Sequence, residues 1–473
     1  METSCCIIGL PQPTKQKGVL HMLDLLYNEK TVIGRLKKYF SQYFSCCPAP
    51  TAHNLFLFVL SIIALESAPS IRFLYRHFIC KLTEKSLNTF YYMCSYAKVD
   101  YTAFMKVTAS VALNIIPEKL ESLPVFLCID DTMVEKFGKK FSHASKLYDH
   151  AAHNGSNYLN GHCFVSLMLC IPVWESNEVV YKGIPLGYRM WQKEVSKLSL
   201  AAEMVRTVME ILAKKNQIVV LADSWYGKSE IFALKTQFDN LDVTCNVRRD
   251  TVLYDLAPPR TGKKGRPPKH GKRLSVFDDF ILSDEKIGDY YVAHRQVVTN
   301  LLRDQVLNAY VTAPEKESGR WLFLSTVDIQ SIEMFCVKME NTQLNQYDVR
   351  WKEYIPLFFY SFRWQIEVSY YEQKAFWSLC RYMVRSTPGI EMMINLICTT
   401  YSAVSLLPYV DPLFTKYRGS SPQEIRFALS QKIHEQIFLS NFAFSTESGN
   451  NSTIIINAVK LWIFAKSVVA EKL

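Results

Sequence analysis

The chain lacks most of what would mark a secreted scaffold or a membrane protein. Its 13 cysteines are scattered through 473 residues, too thinly for a disulfide framework, and none falls in a Cys-x2-Cys or Cys/His zinc array. Cys5 with Cys6 and Cys46 with Cys47 are simply adjacent pairs, so a reduced, intracellular protein is expected. The best apolar run, Leu55 to Leu65, has eleven residues, whereas a membrane span needs about 20; no membrane role is expected. The N-terminus shows no charged segment followed by a long apolar stretch, so no secretory signal is expected. Gly-x-Ser-x-Gly and the Gly-x4-Gly-Lys-Ser/Thr phosphate loop are both missing, which argues against a serine hydrolase and against ATP-driven chemistry. His143, His150, His153 and His162 gather in sequence but follow no ligand spacing.

What is present is a globular composition with a basic bias. Apolar residues make up 49% and charged residues 21%, which excludes a disordered or collagen-like chain. Lys and Arg number 54 against 44 Asp and Glu, a net charge of +10, which suits a polyanionic partner without requiring one. The length suggests roughly two to four domains, or one large domain with insertions.

Residues 1–115 read as a helical region. Thr31 to Phe44 carries Val32, Leu36, Tyr39, Phe40 and Tyr43 on one face; Ile71 to Ala97 has a similar period with Arg72, Arg76, His77, Lys81 and Lys85 interleaved. Such a region could grip DNA, or these residues could be a solvated helix face. At Pro124 the pattern changes. Val125 to Ile129 reads as a buried strand that ends in Asp130, Asp131 and Thr132. Strands follow at His162 to Val173 and Val179 to Met190, then a helix from Ser196 to Lys215, then a strand from Gln217 to Ala222 that ends in Asp223, and a candidate fifth from Asp242 to Arg248. Residues 120–250 therefore form the first part of an α/β core and 251–345 a β-rich insertion, with short strands at Tyr290 to Val298, Asn308 to Thr312 and Trp321 to Ser325. Helices return from Ile329, including Tyr347 to Val384 and Ile390 to Leu407. Residues 346–410 complete the core, and 411–473 form a helical C-terminal region ending in a helix from Ile454 to Ala470.

The densest chemistry lies at Tyr360, Arg363, Glu367, Tyr371 and Lys374. On one continuous helix these fall within an arc of about 80°, a carboxylate flanked by cations and phenols. An ordinary charged face with i,i+4 pairing has the same appearance. Asp130 and Asp223 at the ends of neighbouring strands, with Glu367 on a helix beside them, would offer hard oxygen ligands for two Mg2+ ions, with Mn2+ as a substitute. Arg363 and Lys374 would hold phosphates, Arg through a fork and Lys as a point charge.

Tyr360-x2-Arg363-x3-Glu367-x6-Lys374, with Ile129 to Thr132 for a first acid and Val219 to Ser224 for a second, resembles the DDE transposases of bacterial insertion sequences, in the subgroup with the Tyr-Arg-Glu-Lys signature. The resemblance covers about residues 125–405; the first hundred residues do not share in it. It implies an α/β (α+β) fold with a ribonuclease-H-like core, interrupted by a β-rich insertion between the second Asp and the catalytic Glu, with helical N- and C-terminal regions. It implies metal-dependent cut-and-paste transposition: nicking at a transposon end, hairpin formation, hairpin opening and strand transfer into target DNA. It also implies a homodimer holding two inverted-repeat ends, and a cytoplasmic, nucleoid-associated bacterial protein.

Some assignments remain open. Asp130 and Asp131 are neighbours on a strand and point to opposite faces; Asp-x-Thr favours Asp130, and Asp131 stays the alternative. The resemblance gives Trp321 the role of stacking on a flipped base; core packing is the other reading. The loop from Thr261 to Arg273, with Lys263, Lys264, Arg266 and Lys269, looks like a minor-groove hook or a solvated linker. A decayed, non-catalytic DNA-binding relative and a nuclease that never joins ends are the alternatives to an active transposase.

Overall fold

A computed structural model describes residues 26–138, 140–148, 157–215, 217–259, 268–317, 319–329 and 354–447. Lys263, Lys264, Arg266, His150, His153 and the helix expected at Ile454 to Ala470 lie outside these residues. The chain divides into two units, Met1–Val99 with Phe376–Val384 and Ser420–Leu473, and Asp100–Ala375 with Arg385–Gly419.

The first unit is helical among its described residues: α1 (Val32–Ser41), α2 (Ala49–Ala64), α3 (Ile71–His77), α4 (Leu87–Tyr96) and a long helix at Pro422–Glu447. Thr31 caps α1 by accepting from the Gly34 amide, and Ser70 caps α3 by accepting from Phe73. The helix expected over Ile71 to Ala97 is interrupted: a 3-10 turn at Ile79–Lys81 follows α3, and the Tyr75 hydroxyl donates to the Lys85 carbonyl at 2.9 Å across the link. The buried end of α2 leaves carbonyls that its own helix cannot pair. Ser430 and His434 on the long helix bond the Ala64 carbonyl at 2.7 and 3.0 Å, and Arg426 donates to the Leu65 carbonyl.

The second unit is built on one eleven-stranded sheet. Its strands are β1 (Val125–Glu135), β2 (Ser145–Tyr148), β3 (Tyr158–Glu175), β4 (Glu178–Met190), β5 (Ile218–Ala222), β6 (Leu241–Val247), β7 (Leu253–Tyr254), β8 (Arg273–Leu274), β9 (Tyr291–Thr299), β10 (Leu302–Ala313) and β11 (Trp321–Ser325). Around β1 the order is β4-β3-β1-β5-β6. The β4–β3 and β3–β1 pairs are antiparallel; β1–β5 and β5–β6 are parallel. From β6 the sheet continues antiparallel through β11, β10 and β9. The parallel step to β5 needs a crossover, supplied by the helix at Lys197–Leu212 (α6), which follows α5 (Tyr101–Asn114) in the helix order. Val125 to Cys128 and all of β5 are fully buried, as expected of strands covered on both faces.

In this second unit three further sequence expectations change. β1 does not end at the acids: it runs through Asp130 and Asp131 to Glu135, because β3 keeps pairing with it while β5 stops at Ile129↔Ala222. The helix expected at Tyr347 to Val384 is, in its described part, Ile355–Ser361 and Trp364–Ala375. Between them Phe362 and Arg363 bond three residues back, to Phe359 and Tyr360, which tightens the turn. So Tyr360 and Glu367 are not on one continuous helix. The third concerns length: the helix at Thr387–Val410 is long and apolar enough to cross a membrane, a stretch that the run-length argument passed over, and 94% of its apolar window is buried inside the fold. It packs as a core helix, with Asn395 bonding both the amide and carbonyl of Tyr188 on β4.

Candidate active site

Alternation along β1 sorts its residues between two layers. Phe126 stacks on Phe362 at 4.8 Å, Cys128 donates to the Phe362 carbonyl, and Asp130 reaches Arg363. All three therefore face the helix pair at Ile355–Ala375. Asp131 faces the other way. It accepts from Lys197 Nζ at 2.6 Å, from Cys163 Sγ at 2.8 Å and from the Tyr226 hydroxyl at 3.3 Å.

Arg363 joins two of the sequence-nominated acids. Its Nη1 lies 2.9 Å from Asp130 Oδ2, and its Nη2 lies 2.5 Å from Glu367 Oε1. Burial alone would lower the Arg363 pKa, but Tyr360, Asp130 and Glu367 outweigh it and hold the guanidinium charged. Asp223 immediately follows β5, beside Asp130, and its Oδ1 accepts the amides of Trp225 and Tyr226 at 3.0 and 3.2 Å. Burial pushes the Asp130 carboxyl up to about 7; Arg363 opposes this and the neighbouring Asp223 adds to it. Asp223 is raised in the same direction, first by burial. The Asp223 charge thus disfavours ionisation of Asp130, and the Asp131 charge disfavours that of Asp223.

Among the described residues, no three His, Cys, Asp or Glu side chains converge as a metal cluster. The expected set of Asp130, Asp223 and Glu367 is not assembled in this conformation, because Glu367 is engaged by Arg363. The donor chemistry still fits a divalent ion. Asp130 and Asp223 are hard oxygen donors at one sheet edge, raised by burial, and Glu367 is one ion pair away.

The other nominated residues fall around this centre. Tyr360 feels Asp223 and Arg363, and burial raises its phenol. Lys374 donates to the Met133 carbonyl of β1 at 3.0 Å, further along the strand than Asp130. Tyr371 is exposed. Trp321 opens β11, and because β11 runs antiparallel to β6 this end lies at the edge of the sheet that holds the acids. It is two strands from Asp223, about 10 Å at ordinary strand spacing. Phe323 packs on Tyr360 at 4.9 Å, so Trp321, two residues earlier, points to the same face. The Trp321 ring is 45% exposed and meets Tyr290 edge-on at 6.0 Å. Lys269 is exposed.

Sequence reasoning passed over Lys197, Trp225, Tyr226 and the Tyr370–Ser166 hydroxyl pair that ties the helix to β3 opposite Asp130. Only Trp225 and Tyr226 carried a signal, as aromatics directly after a strand-end acid.

Residues 83–287 match the family model for the DDE superfamily endonuclease. The match supports a DDE-type transposase or endonuclease family for this chain. It takes in Asp130 and Asp223 and stops before the Tyr360 to Lys374 segment. Among curated proteins, none matches.

Proposed function

We propose that the chain is a DDE transposase of a bacterial insertion sequence, cutting and joining double-stranded DNA at a centre made by Asp130, Asp223 and Glu367. The observation that carries this reading is that Arg363 ties Asp130 on β1 to Glu367 on the helix, with Asp223 following β5 next to Asp130 on the neighbouring strand. The β4-β3-β1-β5-β6 order, with two antiparallel pairings followed by two parallel ones, supports a ribonuclease-H-like core. The antiparallel strands beyond β6 correspond to the insertion. Asp130 takes the first-acid role because it faces Arg363 and Glu367, while Asp131 is engaged by Lys197.

Asp130, Asp223 and Glu367 would hold two Mg2+ ions, which when bound supply positive charge at the attacking and leaving oxygens of a phosphodiester. Glu367 would join this set on leaving Arg363. Arg363, released, turns its fork to a phosphate, and Lys374 adds a second positive charge. Tyr360 keeps Arg363 in place from the preceding turn. Hydrolysis leaves a 3′-hydroxyl and a 5′-phosphate. Attack of that 3′-hydroxyl on the opposite strand exchanges one phosphodiester for another and closes a hairpin; hydrolysis of the hairpin frees the 3′-hydroxyl again, and its attack on target DNA is a second such exchange. A homodimer holding two ends, in the bacterial cytoplasm and on the nucleoid, completes the reading.

The test uses a mini-element bounded by whatever inverted repeats a search of the DNA flanking the gene finds. Its excision and reinsertion in the presence of the full chain support the reading. Cleavage without joining would leave a nuclease, and binding without cleavage a DNA-binding relative.

A further inference from the structure

Trp225 stands two residues beyond Asp223 and is held there by the backbone. Its amide donates to Asp223 Oδ1 at 3.0 Å, and the Gly227 amide closes the turn onto the Asp223 carbonyl at 2.9 Å. Gly227 permits this: a Cβ there would sit 2.5 Å from the Asn246 carbonyl oxygen on β6. The turn buries Tyr226 completely and leaves Trp225 47% exposed. Tyr226 meets the Trp225 ring edge-on at 4.9 Å, and Lys197 Nζ lies 5.0 Å from its centroid. Lys197 is itself fixed, 2.6 Å from Asp131 and 5.5 Å from the Trp191 ring.

An indole locked by its main chain, braced at the edge by a tyrosine and charged from one side by an ammonium is a rigid platform. Half its surface remains in water, which forgoes the burial a large aromatic usually gains. A structural contact to Lys197 does not require that exposure, since Trp191 also lies against the ammonium. A nucleobase has the complementary flat π-face, and Lys197, held by Asp131, backs the indole against which it would lie.

We propose that Trp225, backed by Lys197, stacks the nucleobase next to the phosphate on which the acidic centre acts. This rests on the DNA-cleaving reading above and gives Trp225 a position distinct from Trp321.

The experiment places 2-aminopurine at successive positions of an end duplex and follows its fluorescence with the full chain in EDTA, where no cleavage occurs. Stacking predicts quenching at one position adjacent to the cleaved bond. That quenching should disappear in Trp225→Ala and Trp225→Leu, persist in Trp225→Phe and persist in Trp321→Ala. Nicking in Mg2+ should fall by about 10- to 100-fold in kcat/KM for Trp225→Ala, the loss of one base stack. Trp225→Leu keeps an apolar side chain of useful size, so a folding defect in the Ala variant does not remove the test. Unchanged quenching and unchanged nicking in either variant overturn the proposal and leave the catalytic reading standing. A wild-type chain that never nicks DNA overturns the catalytic reading, while quenching in EDTA still reports on Trp225.

Discussion

Arg363 and Asp130 are 233 residues apart in the chain and 2.9 Å apart in the fold. The same guanidinium reaches Glu367, so a single cation is shared by an acid on β1 and an acid on the neighbouring helix. Such a part-buried arrangement has no stable state with the carboxylates charged and the cation removed, unless another positive charge takes its place. Divalent ions meet that condition, and a DNA phosphate gives the displaced Arg363 somewhere to go.

Asp130→Asn, Asp223→Asn and Glu367→Gln should each reduce nicking of an end duplex in Mg2+ by more than about 100-fold, beyond the loss seen when residues that merely support metal ligands are changed. DNA binding in a gel shift should survive, since the protein's positive charge is kept. Near-normal nicking by Asp223→Asn or Glu367→Gln would end the two-ion reading.

Stability should carry the Asp130 signature in its pH dependence. The folded carboxyl is pushed up to about 7, chiefly by burial, against about 4 in an unfolded chain. The folded state thus holds a proton that the unfolded state has released across this window. The group's contribution is full below about pH 4 and is lost as pH rises through about 7. The melting temperature of the wild-type chain, relative to Asp130→Asn, should fall from about pH 5 to pH 8. Millimolar Mg2+ should flatten that fall by favouring the charged carboxylates. A flat difference without Mg2+ would mean that Asp130 is not held in this environment.

The strands nearest the centre were legible because they are short apolar runs: Val125 to Ile129 and Ile218 to Ala222 need only burial on both faces to be strands. Arg363 with Glu367 was legible as i,i+4 spacing. Asp130 with Arg363 was not, since no local pattern encodes a contact made by tertiary packing. Nor was the break at Phe362, where both helices share the aromatic composition of the turn between them. Lys197 looked like any residue in the first turn of an amphipathic helix; only the fold brings it to Asp131. The apolar helix at Thr387–Val410 escaped a search for uninterrupted runs because Asn395, Thr399, Thr400, Ser402 and Ser405 break it up, and each is nonetheless buried.

Lys197→Met should destabilise the chain by about 2–4 kcal/mol, because it leaves the part-buried Asp131 carboxylate without its cation. Asp131→Asn with Lys197→Met should cost less than the two single changes added together. Chemical unfolding of the three variants measures the coupling. Strict additivity would mean that the 2.6 Å pair has no energetic consequence.

Replacing Lys263, Lys264, Arg266 and Lys269 with Ala should weaken DNA binding and flatten its salt dependence. For every phosphate that these side chains neutralise, the replacement should reduce the slope of log K against log salt by about 0.9. A series of binding isotherms across salt concentrations reads the slope directly, and an unchanged slope would make the segment a linker.

Trp321 bears on whether the chain joins DNA or only nicks it. A hairpin bends the terminal nucleotides sharply, so the base it displaces needs an aromatic surface near the acids beyond the one that Trp225 offers during the first nick. Trp321 sits at the same sheet edge as Asp223, on the Tyr360 side, and is 45% exposed with Tyr290 against its edge. Trp321→Ala should leave the first nick nearly intact and lower hairpin formation by about one to two orders of magnitude, the loss of one base stack at roughly 1.4 kcal/mol per tenfold. Arg363→Ala and Lys374→Ala should impair both steps, because each step holds a phosphate. A gel time course on a labelled end duplex resolves nicked, hairpin and double-strand-break products. Equal slowing of nicking and hairpin formation in Trp321→Ala, or no hairpin at any time in the intact chain, would end the base-stacking role and assign Trp321 to packing against Tyr290.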